Sequence, residues 1–243
     1  MSRGQRKQAA RSSQGAGLSA RTMAIALAVV VLAAGGALAV VQLTSGDGKK
    51  AAALEGVADA RGLLAGIPVE GDTIGKASAP ALITEFADLR CPNCRAYEQS
   101  ETPKVIKQLV RTGKARFRLR IWPILGPDSI SAARAAYAAN RQGKLWLFAT
   151  VWYANQRDES ETYATPSFYD PIASAVGIES GRFKSDRTSS AADTWISATS
   201  TTALAGGYSG TPTFVVEGPK GRKAVTDSIP DAAGLAQLVA QLS

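Results

Sequence analysis

Residues Thr22 to Gly46 form a run of 25 positions without one charged side chain, and that run decides how the rest of the chain is organised. As a helix it would extend about 37 Å at about 1.5 Å per residue, longer than the roughly 30 Å hydrocarbon core of a bilayer. The residues before it carry Arg3, Arg6, Lys7, Arg11 and Arg21 and no acid. A positive amino flank keeps that end in the cytoplasm and puts the bulk of the chain outside. A cleavable signal peptide competes with an anchor, because Ala37-Leu38-Ala39 has the small-x-small form of a cleavage site. Against cleavage, the apolar run continues through Val40, Val41 and Leu43. Both readings export the globular part to a compartment where disulfides persist. The division is a basic cytoplasmic tail at 1–21, a transmembrane helix or signal anchor at 22–46, a juxtamembrane linker at 47–66 in which Ala51 to Leu64 suits a short helix, and a domain over 67–243. Gly66 to Gly75, at the start of that domain, reads as a loop with an edge strand.

The tail accounts for five of the eight units of net positive charge; from Asp47 onward 23 Lys and Arg face 20 Asp and Glu. A body so nearly balanced implies no polyanion, and nucleic acid is not an expected partner. The chain has no histidine, which excludes Ser-His-Asp and Cys-His catalysis and the usual His-bearing metal sites. It has two cysteines, Cys91 and Cys94, too few for a disulfide scaffold or a four-thiolate metal site. No metal or organic cofactor is indicated.

Within the body, Ala81 to Ala87 follows Pro80 as a short apolar run suited to a central strand. A helix follows from Pro92, with a kink or split near Thr102 because Pro103 cannot continue it. Ala115 to Trp122 alternates strictly, as a half-exposed strand does. Strand, helix, strand implies a right-handed crossover and a parallel pair. From about 128 to 205 the composition turns helical, and Asp128 or Ser129 can cap the first helix. Thr213–Val216 and Lys223–Thr226 form a hairpin through Gly218-Pro219-Lys220-Gly221, and Asp231 to Leu242 closes as an amphipathic helix. The fold class is α/β with an inserted helical block.

Cys91-Pro92-Asn93-Cys94 falls between the first strand and its helix. With Cys91 as N-cap and Pro92 as the first helical residue, the Cys91 sulfur faces unpaired N–H groups and the positive end of the helix dipole. Both favour thiolate, so Cys91 reads as the nucleophile and Cys94, one turn inside, as the resolving thiol. A four-residue ring removes little chain entropy, so a structural staple explains the pair poorly. Zinc would need two further soft ligands; an inert bridge and two unrelated buried thiols remain the plain alternatives.

Glu85 to Cys94 resembles the active-site strand and helix of the DsbA-like thioredoxin-fold family. So do Leu125-Gly-Pro-Asp-Ser129 with the Ala-rich run to Gly143-Lys144, and Gly210-Thr-Pro-Thr-Phe214. The resemblance covers roughly 68–242 and implies a thioredoxin-like fold with its helical domain inserted. It assigns Cys91 as the attacking and Cys94 as the resolving cysteine, and it matches Thr211-Pro212 to a loop whose proline is cis. Such a loop holds extended backbone where a substrate strand pairs; the plain alternative is a turn proline. Glu85 matches a buried acid below the thiols, where a desolvated carboxyl relays the Cys94 proton; the alternative is a solvated strand residue. Pro92 and Asn93 tune the site. Asn93 departs from the family's most oxidising members, which carry His there, so Arg90 or Arg95 are the candidates to supply charge, unless both are solvated.

The expected activity is that of an extracytoplasmic thiol–disulfide oxidoreductase donating disulfides to exported cysteine-containing proteins, reoxidised by a quinone-linked membrane partner of the DsbB or vitamin K epoxide reductase type. Two rivals stand beside it. One is a reductase or isomerase using the same pair. The other is a redox-independent holdase whose groove would be lined by Trp146, Phe148, Trp152 and Tyr153, although aromatics at this spacing are more often core.

Overall fold

Strand β3, Ala81–Ala87, is buried along nearly its whole length, and the domain is built outward from it. The computed structural model describes residues 54–243. Beside β3 runs β4, Ala115–Ile121, paired in parallel from Ala81 with Ala115 to Ala87 with Ile121. Its alternation places Ala115, Phe117, Leu119 and Ile121 inside. The intervening Arg118 and Arg120 reach the Asp72 carboxylate at 3.5 and 3.3 Å. The hairpin of β5, Thr213–Gly218, and β6, Gly221–Val225, adds antiparallel on the other side of β3. Short strands β1, Val69–Glu70, and β2, Thr73–Ile74, complete the mixed sheet, whose order is β1-β2-β4-β3-β5-β6.

Helix α1 spans Val57–Leu64. The crossover from β3 to β4 holds α2, Pro92–Ser100, then α3, Thr102–Val105, and a π-helical turn, Ile106–Val110. The expected split falls at Glu101, because Pro103 has no N–H to donate back along a continuous helix. The insertion comprises α4, Pro127–Asn140; α5, Leu145–Ala154; α6, Pro166–Ala175; α7, Ser180–Arg187; and α8, Ser190–Ala205. It returns the chain to β5, and α9, Ala232–Leu242, closes the fold behind an Asp231 cap that accepts from Gly234 N–H at 2.7 Å. Alanines 132, 133, 135, 136, 138 and 139 are fully buried in α4, where small side chains let neighbouring helices approach. Trp146, Phe148, Trp152 and Tyr153 are at most 2% exposed, so the aromatics that could have lined a groove are core.

The sequence reading started the body at 67, whereas the compact unit begins at Leu54. The reason is α1, whose Val57, Ala60, Leu63 and Leu64 lie on or against the core. Two polar clamps fix its ends. The Asn155 amide exchanges hydrogen bonds with the backbone of Glu55, both at 3.0 Å. Arg111 donates to the carbonyls of Leu63 and Ala65 at 2.7 and 3.1 Å, satisfying acceptors that a helix end leaves open. The expected membrane span at 22–46 lies outside the described residues; among those described, no helix is long and apolar enough to cross a membrane.

Candidate active site

Past Ala87 the chain turns through Asp88, Leu89 and Arg90 into α2. Cys91 is the N-cap, with extended backbone at φ −71° and ψ 123°, and Pro92 opens the helix. Proline suits that position, since its missing N–H would have had no partner in the first turn. Cys91 and Cys94 are both free thiols, 5% and 0% exposed. Across the sheet, the loop before β5 brings the Thr211–Pro212 peptide, which is cis, against the Cys91 sulfur. The Cys91 thiol donates to the Thr211 carbonyl at 3.3 Å.

The two sulfurs differ sharply in acidity. Cys91 is lowered to about 6: the Cys94 thiol donates to it first, and the Thr211 hydroxyl and the backbone N–H groups of Cys94 and Asn93 add to that, against the opposing effect of burial. The Thr211 hydroxyl is buried with no other hydrogen-bond partner, which leaves it available to the thiolate. Cys94 is pushed up, by burial first and then by donating to the Cys91 sulfur and by the negative charges of Cys91 and Glu85. One thiol is prepared to ionise and the other to keep its proton.

Glu85 sits in the middle of β3, opposite Leu119 on one side and Phe214 on the other. At 3% exposed it is not a solvated strand residue. Burial, then the charges of Glu98 and Cys91, hold its proton well above the usual carboxylate range. Pro92 and Asn93 are exposed, and Asn93 acts on the sulfur through its backbone N–H.

Neither arginine supplies the charge that Asn93 lacks, because the lowering of Cys91 comes from hydrogen bonds. Arg90 is buried, not solvated. Its Nε lies 3.1 Å from an Asp128 carboxylate oxygen; the N–H is not aimed along that contact. Its Nη2 donates to the carbonyls of Glu159 and Glu161, and the guanidinium stacks 5.0 Å above the Tyr163 ring. Asp128 is thus no helix cap. Gly126 precedes α4 and Pro127 opens it, while the Asp128 carboxylate accepts from Tyr163 and Ala164 N–H at 3.1 Å each.

The sequence reading also missed Glu98, two turns beyond Cys91 on α2. Cys94, Tyr97 and Glu98 share the buried face of that helix, so an acid at spacing i, i+4 from the inner thiol was a readable signal. Glu98 accepts from the Thr150 hydroxyl at 2.6 Å and is pushed up to about 7 by burial. It lines a cavity of about 400 Å³ with residues of α1 and α5, among them Ala60, Leu63 and Ala154. On the Thr211 side, Gly210 to Thr213 and Thr226 to Ile229 line an open groove of about 240 Å³.

The fold and the motif agree with what known proteins show. A family model described as Thioredoxin matches residues 69–231. A probable disulfide bond formation protein D of Bacillus cereus is 32% identical over 95 residues, 38% of this chain and 44% of the relative. Disulfide bond formation protein D of Bacillus subtilis is 26% identical over 105 residues, 42% of this chain and 47% of the relative. The chain therefore spans about half the length of the curated relatives it matches. Among solved structures, oxidised BdbD from Bacillus subtilis superposes with a TM-score of 0.64 over 70% of this chain and 91% of that one, at 21% identity, a likeness of fold. A thioredoxin-like oxidoreductase from Silicibacter pomeroyi gives a TM-score of 0.56 at 28% identity, over 72% and 91% of the two chains.

Proposed function

Because the chain belongs to the thioredoxin family, we propose that it is an extracytoplasmic thiol–disulfide oxidoreductase that passes a Cys91–Cys94 disulfide to exported proteins. The observation that carries this reading is the placement of the two thiols, Cys91 as the N-cap of α2 with its sulfur 3.3 Å from the Thr211 carbonyl and Cys94 fully buried one turn behind. This placement lowers the first thiol and pushes up the second. The similarity to disulfide bond formation proteins of Bacillus supports the same activity.

In the oxidised enzyme a substrate thiolate enters along the groove beside Thr211 and attacks the Cys91 sulfur. The Cys91–Cys94 bond breaks, Cys94 leaves as thiolate, and the Glu85 carboxyl supplies the proton that Cys94 then holds. A second substrate thiolate attacks the substrate sulfur of the mixed disulfide and expels Cys91. The substrate has lost two electrons, and its two protons went to solvent when its thiols ionised. The enzyme is left with Cys94 as thiol and Cys91 as thiolate, and Glu85 regains its proton from solvent. Thr211 offers backbone and hydroxyl beside the attacked sulfur, and Pro212 keeps that position free of a competing N–H donor. A Cys91 that leaves readily as thiolate stabilises the reduced form and makes the disulfide an oxidant. Residues 22–46 tether the domain to the outer face of the cell membrane, with residues 1–21 in the cytoplasm, and a quinone-linked membrane protein restores the disulfide.

Cys94→Ser tests the roles. Cys91 of that variant attacks substrate disulfides and nothing resolves the adduct. Non-reducing gels should show ladders of mixed disulfides that vanish with reductant and are absent for Cys91→Ser. Identical behaviour of the two variants would remove Cys91 as nucleophile. Equilibration of the pair with glutathione fixes the direction: an oxidising value supports the donor, a thioredoxin-like value the reductase.

A further inference from the structure

The active-site turn is held from outside the thioredoxin core. The Tyr153 hydroxyl donates to the Asp88 carbonyl at 3.1 Å, and Trp152 Nε1 donates to the Leu89 carbonyl at 2.7 Å. Gln156 Nε2 donates to two carbonyls, of Leu89 at 2.8 Å and of Cys91 at 3.2 Å. All three side chains come from α5 or the residues just past its end. Trp152 and Tyr153 also fill the core, so their burial needs no further reason. Gln156 has none: Asn155 before it is partly exposed and Arg157 after it is exposed, yet Gln156 is only 6% exposed. Burying a primary amide there is costly unless its N–H groups are used, and they are used on the turn that presents the nucleophile.

The Cys91 carbonyl already accepts from Arg95 N–H at 3.1 Å, the first hydrogen bond of α2. Gln156 therefore grips the N-cap peptide where the helix begins, and it grips the peptide on the other side of Arg90 as well. A two-point clamp of this kind fixes the rotation of Cys91 about its backbone.

We propose that Gln156 is a positioning residue for the thiol chemistry, clamping the Leu89 and Cys91 carbonyls so that the Cys91 sulfur stays turned toward Thr211 and the free N–H groups of the helix start. The helical insertion thereby sets the redox behaviour of a site it does not contain. The inference rests on reading Cys91 as the nucleophile.

Gln156→Met keeps the length of the side chain and removes the donors. Neither carbonyl is orphaned, since Trp152 and Arg95 remain, so the variant should fold. The thiolate absorbance at 240 nm in Gln156→Met should titrate above the wild-type midpoint by about half a unit or more, toward the ordinary value of about 8.5. Equilibrium with glutathione should move toward a weaker oxidant. Gln156→Glu faces two carbonyl oxygens with a further acceptor and should move both readouts the same way. Gln142→Met serves as control: Gln142 exchanges hydrogen bonds with the Glu179 backbone inside the insertion, at 2.9 and 3.2 Å, and its loss should lower Tm without moving the midpoint. A lowered Tm in Gln156→Met with midpoint and equilibrium unmoved would overturn the proposal while leaving the nucleophile in place. A wild-type midpoint near 8.5 would overturn the reading of Cys91 itself.

Discussion

The Cys91 sulfur gathers donors from a thiol, a hydroxyl and two backbone N–H groups, and this sets the sign of its contribution to stability. Its folded value of about 6 lies below the ordinary cysteine range. The thiolate therefore stabilises the reduced fold at pH above the ordinary value, and that stabilisation is lost as pH falls through about 6. Position 93 is the place to move this balance. Asn93 is exposed and contributes its N–H, so a new charge there acts through partly screened space. Asn93→His should lower the Cys91 midpoint by about half a unit to one unit when the imidazole is protonated, and strengthen the oxidant. Thiolate absorbance followed against pH measures it. A midpoint unmoved by the imidazolium would show that side chains at 93 lie outside the field of the sulfur.

Between elements, the ion pair of Arg90 and Asp128 joins the active-site turn to the start of α4, with both side chains less than a tenth exposed. Removing one partner leaves the other charge buried without its counterpart, a loss of about 3–5 kcal/mol. Asp128→Asn should lower stability by about 3 kcal/mol, and Arg90→Leu combined with it should cost less than the two separate losses together. Urea unfolding of the four proteins closes the cycle; simple additivity would show that the pair is not coupled. The same elements show what the sequence made legible. The period of β4, the proline that opens α2 and the proline that splits it are local signals, and each is where the residues put it. Asp128, like Ser129, reads from the sequence as a cap because it stands at a helix start, and nothing near it in the chain points to Arg90. Gln156 and Glu98 escaped for the same cause: their partners arrive through tertiary packing. The helix within Ala51–Leu64 is legible as a helix and forms as α1, but eight residues show too little of a stripe to reveal that its buried face meets α5 and belongs to the body.

Across the whole molecule, two buried acids and the Cys91 thiol make stability depend on pH in opposite directions, the acids being raised and the thiol lowered. Glu98 stands among α1, α2, α3 and α5 and is pushed up to about 7 by burial. Glu85 is shifted in the same direction by burial and by Glu98 itself. A carboxyl raised in the folded state binds more protons there than in the unfolded chain. Stability therefore falls as pH rises from the ordinary carboxylate range through about 7. The reduced enzyme carries the opposing slope of Cys91 over the upper part of that window, so the two partly cancel. In the disulfide form Cys91 does not titrate, and the carboxyl slope stands alone. Urea unfolding of the oxidised protein should thus lose stability between pH 5 and pH 8, by about 1.4 kcal/mol for each unit by which a carboxyl is raised. Glu98→Gln keeps an acceptor for Thr150 and removes the charge, so it should be more stable than wild type at pH 8, by on the order of 2 kcal/mol. Near pH 4.5 the two should be alike. The reduced protein should gain stability relative to the oxidised one as pH rises through about 6 toward the ordinary thiol range, because only the reduced form carries the Cys91 thiolate. Parallel pH profiles for oxidised wild type and Glu98→Gln would show that the Glu98 carboxylate is hydrated through its cavity and ionises as an ordinary acid.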